Sequence, residues 1–201
     1  MSCVHILAPT LLEYWAVRRT LPTAAARWAG VGLARWQPAR EGSIVVVCGL
    51  AGALVPGLRP GTVLVPGSVG LPDGTMVHCD AELVRALVAA ARTLGFRPVT
   101  GPLLTAPSLV TGAARQQWAG RGFVAADMET GLLADSNLRL ATIRVVLDGP
   151  ERGISRQWLS PASALLRPRL WSELFWLCRV APPYALRAAT VLKVGLERLA
   201  V

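Results

Sequence analysis

The run Ser43-Ile-Val-Val-Val-Cys48 constrains the fold more than any other stretch of the chain. It is continuously apolar and mostly β-branched. A strand with one wet face would alternate, so this one reads as covered on both sides, as parallel strands usually are. Gly49-Leu-Ala-Gly52 follows directly and reads as a tight turn, or as backbone that lets a ligand approach closely.

The remaining punctuation fits the same architecture. Val4-His-Ile-Leu-Ala8 is a strand that turns at Pro9 and Thr10 into a helix over 11–20. Further strands are expected at 61–66, 99–105, 122–126 and 141–147, the last ending at Asp148. Residues 80–94 are the clearest helix, with Asp80 as N-cap and Gly95 as its stop. Residues 112–118 look helical, and another helix is expected from near Glu129. Strands alternating with helices predict an α/β fold with helices on both faces: three layers, α/β/α, around a mostly parallel or mixed central sheet. After Asp148 a Pro-, Ser-, Gly- and Arg-rich loop leads to two expected helices, 169–181 and 184–200, separated by Pro182-Pro183. The expected division is an α/β domain over 1–150 and a basic, tryptophan-containing helical extension over 151–201.

Composition narrows the function classes. With 53% hydrophobic and 16% charged residues, the chain is too apolar for disorder. Its net charge is +9, and residues 151–201, with eight basic and three acidic side chains, supply +5 of it. Such a surface attracts anions such as phosphates or acidic lipid headgroups. Nucleic acid is not the expected partner, because no aromatic-and-basic RNA motif and no helix-turn-helix pattern is present. Cysteines 3, 48, 79 and 178 are scattered and His5 and His78 are the only histidines, which leaves neither zinc nor disulfides and no metal site expected. The first residues lack a basic segment followed by an apolar core, so a cytoplasmic protein is expected. The stretch 42–72 carries only Arg59 as a charge, but its glycines and prolines break any spanning helix.

Ligands of open α/β sheets gather at the carboxyl ends of strands. Glu13, Gly49–Gly52, Asp127-Met128-Glu129 and Asp148 all fall at such positions. Each acid has a structural reading beside the chemical one: Glu13 as a solvated helix residue, Glu129 as a first-turn carboxylate, Asp148 as a cap or turn former.

Together these segments resemble the purine nucleoside phosphorylase/5′-methylthioadenosine nucleosidase superfamily. The resemblance is carried by Glu13, Gly49-Leu-Ala-Gly52, Leu58-Arg-Pro-Gly-Thr-Val-Leu-Val65, Ala126-Asp-Met-Glu-Thr-Gly131 and Ile143-Arg-Val-Val-Leu-Asp148, across residues 3–150. Residues 170–199 are similar to the hopanoid-associated branch, the adenosylhopane nucleosidase or phosphorylase. The resemblance implies that Asp148 supports protonation or hydrogen bonding at purine N7 and that Glu13 activates water. It implies that Glu129 accepts from ribose hydroxyls, that Met128 packs on the sugar, and that Asp127 belongs to the same binding set. Leu109 and Val110 would bracket the base, and Ala51 and Gly52 would line the sugar. A homo-oligomer is implied, with no cofactor other than inorganic phosphate if the reaction is a phosphorolysis. The chain departs from the pattern at Leu50 and Leu147, where relatives carry serine, and at Leu7-Ala-Pro-Thr10, where an arginine-bearing phosphate loop is usual. These departures favour hydrolysis, although Arg18, Arg19 or Arg27 could still bring phosphate.

The expected activity is therefore release of adenine from a 5′-substituted adenosine, most specifically adenosylhopane. A soluble-substrate purine nucleosidase or phosphorylase, and a non-catalytic nucleoside- or lipid-binding protein, are the alternatives. In the tail, helical spacing puts Arg169, Ser172, Glu173, Trp176 and Arg179 on one side and leaves a wide apolar surface of Leu170, Trp171, Leu174, Phe175, Leu177 and Cys178. That surface packs on its own domain or a subunit, or meets the inner face of a membrane. Trp158, Trp171, Phe175 and Trp176 are the candidates for lining an apolar groove beside the ribose.

Overall fold

The computed structural model describes residues 4–36, 42–134, 137–159 and 167–199. Its nine strands are β1 (Val4–Ala8), β2 (Ala25–Trp28), β3 (Ile44–Ala53), β4 (Val63–Leu64), β5 (Ser68–Gly70), β6 (Met76–His78), β7 (Leu103–Thr105), β8 (Ala125–Asp127) and β9 (Arg139–Asp148). The α-helices are α1 (Leu11–Thr20), α2 (Ala81–Thr93), α3 (Ala113–Gly120) and α4 (Trp171–Leu199). The sheet runs β2-β1-β3-β8-β7-β5-β6, with β9 paired to β3 and β4. β1 pairs in parallel with β2 and β3, β3 with β9, and β7 with β5 and β8; the β3–β8, β4–β9 and β5–β6 ladders are antiparallel. The sheet is mixed, as expected.

The apolar run is the middle of the fold. β3 and β9, of ten residues each, lie side by side from Ile44 to Gly52 of β3, with one irregularity between Ala51 and Gly52. Alternation along them separates two surfaces. Val46, Cys48, Ala141, Ile143 and Val145 face α1, α2 and α4 in the largest core cluster. On the other side, Ala51, Ala53 and Val146 meet Leu64, Val69, Leu103 and Ala125 from four further strands, so the sheet curls around an apolar interior. Further along that inner side, Val45, Val47 and Leu140 are covered by Leu33, Leu133 and neighbouring loop residues rather than by a long helix. The three longest helices thus share one face, and α3 packs Trp118 against Phe123, Leu54 and Leu104 elsewhere.

Local signals explain the helix ends. Thr10 and Glu13 form a reciprocal capping box at α1, and Asp80 accepts from the N–H groups of Glu82 and Leu83 at α2. Gly95 follows α2 at φ +80°, a conformation natural to glycine. The helix expected near Glu129 is only a 3₁₀ turn over Thr130–Leu133. Its backbone is held by side-chain acceptors, with Thr130 N–H donating to Asp127 and Gly131 N–H to Thr105.

The two C-terminal helices expected are one. α4 runs unbroken through Pro182 and Pro183. Each proline removes a donor from the helical ladder, leaving the carbonyls of residues 178 and 179 without their usual partners. Tertiary burial outweighs that loss: Ala185, Ala188, Ala189, Val191 and Leu192 are buried against α1, α2 and the sheet. The expected extension therefore completes the main core, although the change in composition at its start is real. Leu192→Ala should lower unfolding stability by about 2–5 kcal/mol, read as a reduced urea midpoint at unchanged m-value.

Candidate active site

The inner side of the curled sheet delivers the polar groups. Thr105 on β7, Asp127 on β8, and Thr142 and Arg144 on β9 are all buried there. Arg144 is fully buried, and a guanidinium there needs partners. Its Nη2 donates to Asp127 Oδ2 at 2.5 Å, to Thr130 Oγ1 at 3.1 Å and to Glu129 Oε2 at 3.3 Å; its Nη1 donates to the Leu50 carbonyl at 3.3 Å. Its Nε is buried without a partner among the described residues.

Glu13 joins this group from α1. Its Oε2 accepts from Thr10 N–H at 2.8 Å and Thr10 Oγ1 at 2.7 Å, and its Oε1 from Leu50 N–H at 2.7 Å. Gly49 is what permits the approach. A Cβ there would stand 2.7 Å from Glu13 Cδ and 2.9 Å from Arg144 Nη1. Three carboxylates, Glu13, Asp127 and Glu129, thus surround one buried cation. Burial pushes the Glu129 carboxyl up to about 7, against the pull of Arg144 and with the push of Asp127 and Glu13. Gly32 N–H donates to its Oε1 at 3.2 Å.

A second polar group lies at the end of β9. Asp148 is buried and forms an ion pair with Arg115 of α3, and its Oδ2 also accepts from Ile154 N–H at 3.0 Å. Arg115 donates in addition to the Ala53 carbonyl at 2.5 Å. Gly52 keeps the wall open beside it, since a Cβ there would lie 2.9 Å from Asp148 Oδ1. Burial raises the Asp148 pKa, with Arg115 and Ile154 N–H pulling the other way.

All nine expected site residues border one cavity of about 660 Å³: Glu13, Ala51, Gly52, Leu109, Val110, Asp127, Met128, Glu129 and Asp148. Asp127 differs in kind from the others. Both of its oxygens are taken by protein donors, Thr105 and Glu129 N–H on Oδ1, and Thr130 and Arg144 on Oδ2. It anchors the turn that carries Glu129 rather than offering an oxygen to a ligand.

The groove residues also need correction. Trp158 borders the cavity, but Trp171 and Phe175 are exposed and Trp176 sits 4.2 Å under the Arg152 guanidinium. α4 instead contributes Leu174, Leu177, Cys178, Ala181 and Pro182. Arg18, Arg19 and Arg27 are exposed and do not border the cavity.

Two functional candidates escaped the reading of the sequence. Arg144 carried a usable signal, a lone charge inside an apolar strand. Arg115 carried none, since nothing near it in sequence names a partner 33 residues away.

Residues 41–158 match the model of the phosphorylase superfamily. The chain belongs to that superfamily. Membership makes it an enzyme of the phosphorylase superfamily's kind. No curated protein matches its sequence. Among solved structures it is similar to the S-adenosylhomocysteine nucleosidase of Streptococcus pyogenes in complex with 5-methylthiotubericidin, at 16% identity and a TM-score of 0.74, covering 98% of this chain and 97% of that one. It is similar to a mutant 5′-methylthioadenosine nucleosidase of Helicobacter pylori holding 5′-methylthioadenosine, at 12% identity and TM-score 0.72 over 98% and 99% of the two chains. The futalosine hydrolase of Helicobacter pylori matches at 13% identity and TM-score 0.71, over 98% of each chain. At such identities the likeness is one of fold, and it spans α4 as well as the sheet.

Proposed function

We propose that this superfamily member hydrolyses the N-glycosidic bond of a 5′-substituted adenosine, releasing adenine, and that the 5′ substituent is large and apolar, as in adenosylhopane. The observation that carries the reading is the opposite character of the two polar groups in one cavity. Glu13 and Glu129 border it where carboxylates outnumber the single Arg144, while Asp148 borders it paired with Arg115. Breaking an N-glycosidic bond puts positive charge on the sugar and negative charge on the departing base, and a site divided in this way favours both.

In this reading Glu129 accepts from the ribose hydroxyls and Met128 packs on the sugar, beside Ala51 and Gly52. Leu109 and Val110 bracket the base. Asp148 hydrogen-bonds the base at N7 and passes it a proton as the C1′–N9 bond breaks. Water adds its oxygen to C1′, and Glu13 Oε1, which spends one lone pair on Leu50 N–H, takes the proton that water releases. Arg115 positions Asp148 and offsets negative charge on the leaving base.

Hydrolysis rather than phosphorolysis is supported by the lining. Arg115 is the only basic side chain bordering the cavity among the described residues, and Leu50 presents no hydroxyl. The apolar substituent is supported by Leu12, Leu50, Leu174, Leu177, Ala181 and Pro182, which border the same cavity as Glu13. Its volume of about 660 Å³ lies well inside the range of about 300–1,000 Å³ typical of pockets for drug-sized ligands.

Quantifying free adenine from adenosylhopane and from 5′-methylthioadenosine, each with and without phosphate, tests these points. Phosphate-independent release, with the apolar substrate preferred, is expected. Strict phosphate dependence overturns the hydrolase assignment, and preference for methylthioadenosine overturns the apolar-tail assignment.

A further inference from the structure

Three segments contribute apolar lining to the cavity: α1, the turn at Val31, and the first half of α4. They also carry five of the seven large apolar side chains exposed among the described residues, Leu11, Trp15, Val31, Trp171 and Phe175. Phe175 is 67% exposed and Leu11 59%. On α4 the exposed Trp171 and Phe175 are one helical turn apart, while Leu174, Leu177 and Cys178 of the same turns border the cavity. The start of α4 is thus apolar on both its inner and its outer surface, which is more than packing on one core requires.

The exposed charges on and immediately beside these segments are of one sign. Arg18, Arg19, Arg35, Arg167, Arg169 and Arg179 are exposed. The acids of the same segments are turned to internal use: Glu13 is buried, and Glu173 accepts from Ser155 N–H at 2.6 Å. Exposed aromatics and leucine interspersed with arginine match an interface whose hydrocarbon is overlaid by anionic headgroups. No helix of the described residues is long and apolar enough to cross a membrane, so the contact would be peripheral.

We infer that the mouth of the cavity, framed by α1, the Val31 turn and the start of α4, docks on an anionic lipid surface, so that an apolar 5′ substituent enters the cavity without crossing water. The inference rests on the proposed apolar substrate, but its test does not require turnover of that substrate. Flotation of the full chain is measured with phosphatidylcholine vesicles with and without phosphatidylglycerol. Binding to the anionic vesicles that weakens as salt rises is expected. Phe175→Glu and Trp15→Glu, neither of which borders the cavity, should each lower that binding about tenfold. Both should leave adenine release from soluble 5′-methylthioadenosine unchanged, which separates docking from catalysis and shows that the variants fold. Absence of vesicle binding, or binding indifferent to both substitutions, overturns the inference. So does sedimentation showing that the two substitutions dissociate a dimer while the parent ignores vesicles, since the face would then join copies of this chain.

Discussion

Asp148→Asn is expected to slow adenine release about 100- to 10,000-fold, the range that loss of a positioned acid usually costs. The substitution keeps the shape of the side chain and removes its ability to pass a proton. Asparagine can still hydrogen-bond the base, so binding should suffer less than turnover, and kcat should fall more than KM rises. The pH profile adds a second reading. Burial raises the folded-state pKa of Asp148, so the proton it would donate is retained at pH values where an exposed aspartate has lost it. Activity of the parent enzyme should therefore fall as pH rises through that raised pKa, and this limb should be missing from whatever activity Asp148→Asn retains. Arg115→Met gives the complementary result. Without the neighbouring cation the Asp148 pKa rises further, so the falling limb should move to higher pH, while the leaving base loses its positive neighbour and the maximal rate drops. Should Asp148→Asn release adenine at the parent rate, the proton must reach the base by another route.

The elements that could be read in advance are those whose signals are local. The helix start after Thr10, the Asp80 cap, the stop at Gly95 and the apolar runs of β3 and β9 each follow from a few adjacent residues, and the structure has them where the sequence puts them, except that β3 continues to Ala53 through the glycines expected to form a tight turn. The strands that went unread, β2, β5 and β6, have four, three and three residues and too little apolar pattern to mark a period. The continuity of α4 also had no local signal, because Pro182-Pro183 argues for a break and only burial of the alanines beyond it argues against one. At the site, strand-end position was enough to bring Glu13, Glu129 and Asp148 to one cavity. It could not tell a carboxylate that faces a ligand from one that faces an arginine. Asp127 and Glu129 are two residues apart, yet Asp127 spends both oxygens on the protein while Glu129 remains at the cavity wall. That distinction depends on Arg144, seventeen residues away from Asp127 and visible as its partner only in three dimensions.

Arg144→Met should be the most damaging single substitution for stability, at about 3–5 kcal/mol, or a fall of about 1–2 M in the urea midpoint. Methionine fills much of the arginine's volume, so the loss comes from charge rather than from a cavity. Asp127 and Glu129 would be left buried without their cation, and Glu13 would lose its neighbour. The loss should depend on pH in a definite direction. Glu129 already has a folded pKa raised from 4.5 to about 7, so its contribution to stability is present in full below pH 4.5 and is lost as pH rises through 7. Removing Arg144 removes the group that holds that pKa down, so it climbs further and more of the variant's folded molecules carry a proton at any given pH. The destabilisation relative to the parent should accordingly be larger at pH 8 than at pH 5, where protonation replaces the missing cation. Arg144→Lys should recover only part of the stability, because an ammonium cannot span Asp127, Glu129 and the Leu50 carbonyl as the planar guanidinium does. An equal loss at both pH values would mean that Arg144 supports the fold by packing and not by neutralising these carboxylates.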